Sequence, residues 1–243
     1  MLNTTTDLLA EADALALLRR MELWPQLLRR QQEEQIAALV PLPDDWLQEQ
    51  RQQLLAGEAE ADVLRRRGWQ PDDLELHLRR PEAIRRFAQQ HFGPGLEETF
   101  LGFRGGRDVV IYSLLRVRDA ALARELWIRL EEGETTFAEA ATQFSEGPEA
   151  HRKGVMGPME IGQLQPDQLV QWLRALQPGQ IRPPEPLGEW HVLLRLEQLT
   201  PARFDDEMRQ RLLHEALDVL LDSRVQRLLA GETLEPLHYD PDA

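Results

Sequence analysis

Leucine stripes at helical spacing organise the first part of the chain. Leu8, Leu9, Ala12, Leu15 and Leu18 fall on one face of a helix that Asp7 can cap and that runs to about Met21. Pro25 suits the first turn of a second helix through Leu39. The stretch PLPDD (41–45) ends that helix and offers Asp44 or Asp45 as the next cap, for a third helix to Ala56 with Gly57 as its stop. Two shorter helices follow, divided at Gly68 and Pro71. Nothing in this helical half suggests chemistry.

The pattern changes at GFRGGRDVVIYSLLRVRD. Gly105 and Gly106 predict a turn, and Val109 to Val117 is a β-branched apolar run suited to a central strand. Helices are predicted over 119–132 and 136–144, then over 166–176, where Leu169, Trp172, Leu173 and Leu176 form one stripe. PGQI (178–181) reads as a turn into a short strand, and 189–199 as a final strand. After Pro201 a long amphipathic helix reaches about Leu229. It offers Leu212, Leu213, Ala216, Leu220, Val225, Leu228 and Leu229 for burial and stops at Gly231, ahead of a frayed tail. The N-terminal leucine stripes supply a partner face for it. The resulting division is 1–104, 105–200 and 201–243.

Composition narrows the function. The 243 residues contain no cysteine, which excludes disulfides, thiolate metal sites and a cysteine nucleophile. A formal net charge of -14 repels phosphate backbones and anionic membrane surfaces, so nucleic acid is not expected as a partner. The basic runs at 64–67 and 78–80 lie among acids and read as solvated helix faces; HRK (151–153) reads as a solvated turn, with phosphate-directed binding a minor alternative. The six histidines lack ligand-like spacing, so no metal and no cofactor is expected. No apolar run is long enough for membrane insertion, and the first residues lack the pattern of a secretory signal, which together predict a cytoplasmic protein.

One segment, FSEGPEAHRKGVMGP (144–158), is too organised for a casual loop. Together with FAEAATQFSEGP, Gly154 and Gly157, GQL (162–164), LQPGQI (176–181) and LGEW (187–190), it resembles the parvulin-type peptidyl-prolyl isomerases over residues 109–199. The resemblance implies an α+β fold, with a four-stranded antiparallel sheet surrounded by helices beside an all-α module of the N-terminal helices and the C-terminal helix. In that family Gly154 and Gly157 would allow backbone turns that a Cβ obstructs, on a loop bordering the proline cleft. The flanking helices resemble the SurA and PrsA type of bacterial chaperone, whose partners are unfolded or proline-containing polypeptides.

The polar set usual in that family is replaced. Alternation counted from Arg116 and Arg118 as outward residues puts Ser113, Leu115 and Val117 inward, with Ser113 at the first histidine position. Gly147 stands where the family has Cys or Asp. On the last strand either His191 faces the cleft through a β-bulge, or Trp190 or Val192 takes the inner place. Met156, Leu164 and Leu169 are expected to line the apolar floor, although ordinary core is an equal reading for Leu164 and Leu169. Ser113 and His191 are thus the candidate catalytic residues; Leu115, Gly147, Met156, Leu164, Leu169, Trp190 and Val192 are the candidate substrate-binding ones. Two functions remain open: a weak prolyl isomerase and chaperone, or a non-catalytic peptide clamp.

Overall fold

The computed structural model describes residues 11–241. Asp7, Leu8 and Leu9 of the first stripe lie outside that range. The described residues fold as two compact units: those up to Leu96 with those from Asp206 onward, and Glu97–Asp205 between them in sequence.

The first unit is helical throughout its regular structure, with α1 (Glu11–Arg20), α2 (Trp24–Leu39), α3 (Asp44–Leu55), α4 (Glu60–Arg67), α5 (Pro71–Phe92) and α10 (Asp206–Leu229). Gly68 ends α4 at φ 67°, a left-handed cap that costs glycine nothing. A capping box between Gln70 and Asp73 opens α5, which continues through Pro81 rather than stopping short. α10 packs on α2 and α5, and buries Leu212, Leu213, Leu217, Leu221, Arg224 and Val225. Of the residues expected on its stripe, Leu229 is instead exposed. α2 buries Leu28, Ile36 and Ala37, and α5 buries Leu74, Ala83, Phe87 and Ala88. Polar contacts set the α2–α10 crossing: Arg29 donates to Asp218 and, at 2.7 Å, to Asp222.

Among the described residues the tail after Gly231 is tied down, where the sequence predicts fraying. Asp240 N donates to Gln90 Oε1 at 3.0 Å, and Arg224 Nη1 donates to the Glu235 carbonyl at 3.1 Å. Leu234, Leu237 and Tyr239 are half-buried along it, too irregularly spaced to register as a helix or strand.

The second unit comprises α6 (Leu96–Phe103), β1 (Val109–Val117), α7 (Ala120–Glu131), α8 (Phe137–Phe144), β2 (Val155–Glu160), α9 (Asp167–Arg174), β3 (Ile181–Leu187) and β4 (Trp190–Thr200), with short 3-10 turns between. The four strands make one antiparallel sheet in the order β2-β1-β4-β3. β2 escapes sequence reading because Gly157 and Pro158 break its apolar run. Gly157 lies at φ 95°, where an added Cβ would come within 2.5 Å of the Val110 carbonyl.

Both faces of the sheet are covered. On one face Leu115, Val117 and Leu193 pack against Ala123, Leu126 and Leu130 of α7 and Phe137, Ala140 and Ala141 of α8. On the other, Val110, Tyr112, Leu114, Val192, Leu194 and Leu196 pack against Ile161, Leu164 and the α9 residues Leu169, Trp172 and Leu173. One irregularity interrupts the β1–β4 ladder: Ile111 pairs with Gln198 but Tyr112 with Leu196, so Glu197 is the extra residue of a bulge.

Ending the chain at Asp205 should melt the helices of the first unit, because α2 and α5 lose the buried leucines of α10, each contributing about 1.5–3 kcal/mol. The sheet should survive the same cut. Circular dichroism together with the amide spectrum of residues 109–200 would check both outcomes; retention of the full helical signal after truncation would contradict the packing.

Candidate functional site

The α9-facing side of the sheet is the face on which the floor residues gather. Met156, Leu164, Leu169, Trp190 and Val192 all belong to it or pack against it. Leu164 and Leu169 are each only 6% exposed, so they are core beneath the face rather than an open floor. Met156 and Trp190 are half-buried and form its accessible rim.

Three other candidates point elsewhere. Ser113 is 1% exposed and donates to Glu197 Oε1, which also accepts from Arg195 Nε at 2.7 Å. Arg195 in turn lies with its Cζ 5.4 Å from the Phe137 ring, so this group of residues is on the α8 side of the sheet. Leu115 packs there too. His191, opposite Val117, shares that side; the bulge sits at Glu197, too far along β4 to turn it. The inversion has a simple cause. Alternation separates two faces, but it identifies the solvent side only when one face is bare, and β1 is buried on both. Arg116, counted as outward, sits on the α9 side with a buried partner.

That partner is Glu149, which the sequence reading overlooked. Arg116 Nε donates to Glu149 Oε1 at 2.9 Å and Nη2 to Oε2 at 2.6 Å, a two-pronged contact with a carboxylate whose side chain is wholly buried. Ser145 Oγ donates to the same carboxylate at 2.6 Å. The backbone joins in: Arg116 N donates to Ser145 Oγ at 3.0 Å, and Glu146 N donates to the Arg116 carbonyl at 2.9 Å. Burial by itself pushes the Glu149 carboxyl up, but the hydrogen bonds from Arg116, Ser145 and its own N–H, with the Arg116 charge, hold it below the ordinary value. Tyr112 lies on the same face, 2% exposed, and burial raises its phenol. Arg116 and Arg118 both stand over Trp190, with Cζ 5.9 Å and 4.6 Å from the ring.

Gly147 completes the cluster by having no side chain. A Cβ there would lie 2.3 Å from Arg116 Nε and 2.3 Å from Glu149 Oε2. Its φ of -107° is ordinary, so space rather than backbone conformation dictates the residue. Gly154, at φ 80°, closes the other end of the segment: its N–H donates to the Glu149 carbonyl at 2.9 Å and its carbonyl accepts from Leu114 N at 2.8 Å. The sequence signals the pair only in part. An arginine inside VVIYSLLRV must either leave the sheet or find a buried carboxylate.

Residues 116–198 match the family model Rotamase, a PPIC-type PPIase domain. The chain carries a PPIC-type PPIase domain. The matched segment begins inside β1 and covers the Glu149 cluster, the α9 helix and the β3–β4 hairpin of this PPIase domain. No curated protein matches the chain. Among solved structures, it is similar to the peptidylprolyl isomerase PrsA of Bacillus cereus at 18% identity and TM-score 0.47, covering 97% of this chain and 92% of that one. PrsA of Bacillus anthracis gives 17% identity and TM-score 0.45 over 86% and 99% of the two chains. One of two SurA-like chaperones of Campylobacter jejuni gives 16% and 0.38 over 80% and 87%.

The Glu149 cluster makes a prediction about the PPIase domain. Arg116→Met leaves a carboxylate buried without its cation and should cost about 3–5 kcal/mol in urea unfolding, much of it regained in the Arg116→Met/Glu149→Met double variant. Gly147→Asp, which would place a family-like side chain, should destabilise the domain by clashing with the same pair. The Glu149 carboxyl is depressed on folding, so its stabilisation is complete above the ordinary value of 4.5 and is lost as pH falls through the lowered one. The stability gap between the native chain and Glu149→Gln should therefore be constant near neutrality and narrow only in acid. A gap that widens in acid would contradict the assignment.

Proposed function

We propose that the protein binds unfolded or proline-containing polypeptide and assists its folding, with prolyl isomerisation as a slow accompanying activity. The observation that carries this reading is the state of the α9-facing side: its polar cluster of Arg116, Ser145 and Glu149 is closed on itself, which leaves the half-buried Met156 and Trp190 as its accessible rim. Rotating a prolyl amide must overcome a barrier of about 18–20 kcal/mol that comes from amide resonance, and needs no nucleophile. Desolvating the carbonyl lowers it, so an apolar face retains some rate. Larger acceleration requires polar groups aimed at the twisted amide in particular. Here the Glu149 side chain is wholly buried and Gly147 contributes none. Met156 and Trp190 still offer a half-buried thioether and indole against which a proline ring can pack.

The test is a protease-free measurement of cis–trans exchange on short Xaa-Pro peptides, run beside binding of the same peptides by anisotropy. Binding at micromolar or weaker affinity is expected, equivalent to about 8 kcal/mol, and Trp190→Ala should weaken it while the fold is kept. Exchange should rise only slightly above the uncatalysed rate. Turnover like that of an ordinary parvulin, or binding indifferent to Trp190, would overturn the proposal. Leu164→Asp is no test of binding, since a carboxylate at that core position should unfold the domain.

A further inference from the structure

The first unit contains a groove of about 700 Å³ between α2, α10 and the chain after Gly231. Its walls are apolar where Leu39, Leu228, Leu234 and Leu237 line it. At its base lies Arg224, 8% exposed. The guanidinium is held only by neutral oxygens: Nε donates to Gln32 Oε1 at 2.7 Å and Nη1 to the Glu235 carbonyl at 3.1 Å. Burial, with the nearby Arg227, pulls its pKa down. No carboxylate among the described residues forms an ion pair with it.

This is unlike the other arginines at the same crossing. Arg29, more exposed than Arg224, has Asp218, Asp222 and Glu33 around it. In a chain of net charge -14 carboxylates are abundant, yet none reaches the one cation in the groove. Of the two acids on the wall, Glu232 is engaged by Arg227 Nε at 2.7 Å, and Glu235 gives Arg224 its backbone carbonyl while its side chain is exposed. A buried cation without counter-charge is costly, and a carboxylate supplied from outside relieves that cost with charge-assisted hydrogen bonds.

We infer that this groove binds an extended polypeptide segment in which a glutamate side chain, flanked by large aliphatic residues, reaches down to Arg224. The leucine walls take the aliphatic flanks. A glutamate fits the recess better than a chain end, because its side chain lets the backbone lie along the open top while the carboxylate descends to a guanidinium that is almost covered. The site lies in the helical unit and requires no proline, so it stands apart from the isomerase reading.

The experiment uses the full chain and dye-labelled peptides followed by anisotropy. One short peptide carries a glutamate among leucines and valines, has an amidated C-terminus and contains no proline; a second replaces that glutamate with glutamine; a third keeps the glutamine but has a free C-terminal carboxylate. The glutamate peptide should bind roughly tenfold tighter than the glutamine one, in line with a charge-assisted hydrogen bond replacing a neutral one. The preference should vanish in Arg224→Met and persist in Arg224→Lys. Gln35→Glu, at an exposed groove position, should weaken the glutamate peptide selectively. This variant keeps the test decisive if Arg224→Met fails to fold. Equal affinity for the glutamate and glutamine peptides, a preference that survives both Arg224→Met and Gln35→Glu, or tightest binding by the free-carboxylate peptide would each overturn the inference. None of these results would alter the exchange rates on Xaa-Pro peptides.

Discussion

Because β1 is covered on both faces, every polar side chain it carries has to be satisfied inside the protein. Much of the second unit follows from that requirement. Arg116 takes Glu149 on one side, and Ser113 takes Glu197 on the other. The first pairing brings the loop after α8 down onto the end of the strand through Ser145 and Glu146, and forbids a side chain at Gly147. The second uses a residue made available by the bulge in β4. A large part of what stands in the cleft region is therefore a solution to burial.

The same requirement explains what could be read from the sequence. Helices with one apolar stripe against solvent, such as α2 and α9, were legible, as was β1 as a central strand, because local pattern and burial agree there. The antiparallel four-stranded sheet followed from the resemblance, with β2 hidden by its Gly157-Pro158 step. Orientation was not legible. Ser113 and Leu115 were assigned to the cleft because Arg116 was counted as a solvent residue, and nothing in nine residues of β1 distinguishes an exposed arginine from one paired with a residue 33 positions away. Tertiary pairing of that kind is invisible to periodicity, whereas the glycines at 154 and 157, fixed by their own backbone conformation, were not.

The two units handle buried arginine in opposite ways. Arg116 is neutralised within the chain by a carboxylate with no exposed side-chain surface, which makes its cluster rigid and self-sufficient. Arg224 is the more buried of the two but satisfied only through uncharged oxygens. Locking a charge into a pair stabilises a shape; leaving it with amide and carbonyl partners keeps its electrostatic potential available. The contrast also fits the surroundings, since the former lies under a sheet and the latter beside an irregular tail.

The outer strands of the sheet carry one more consequence. Three of the seven residues of β3 are prolines, 183, 184 and 186, and β2 is interrupted by Pro158 and an irregular register. Proline has no N–H to donate, so neither border presents an unbroken row of donors and acceptors. Another extended chain would meet only a broken ladder there. The sheet is therefore a poor template on which extended segments of another chain could stack.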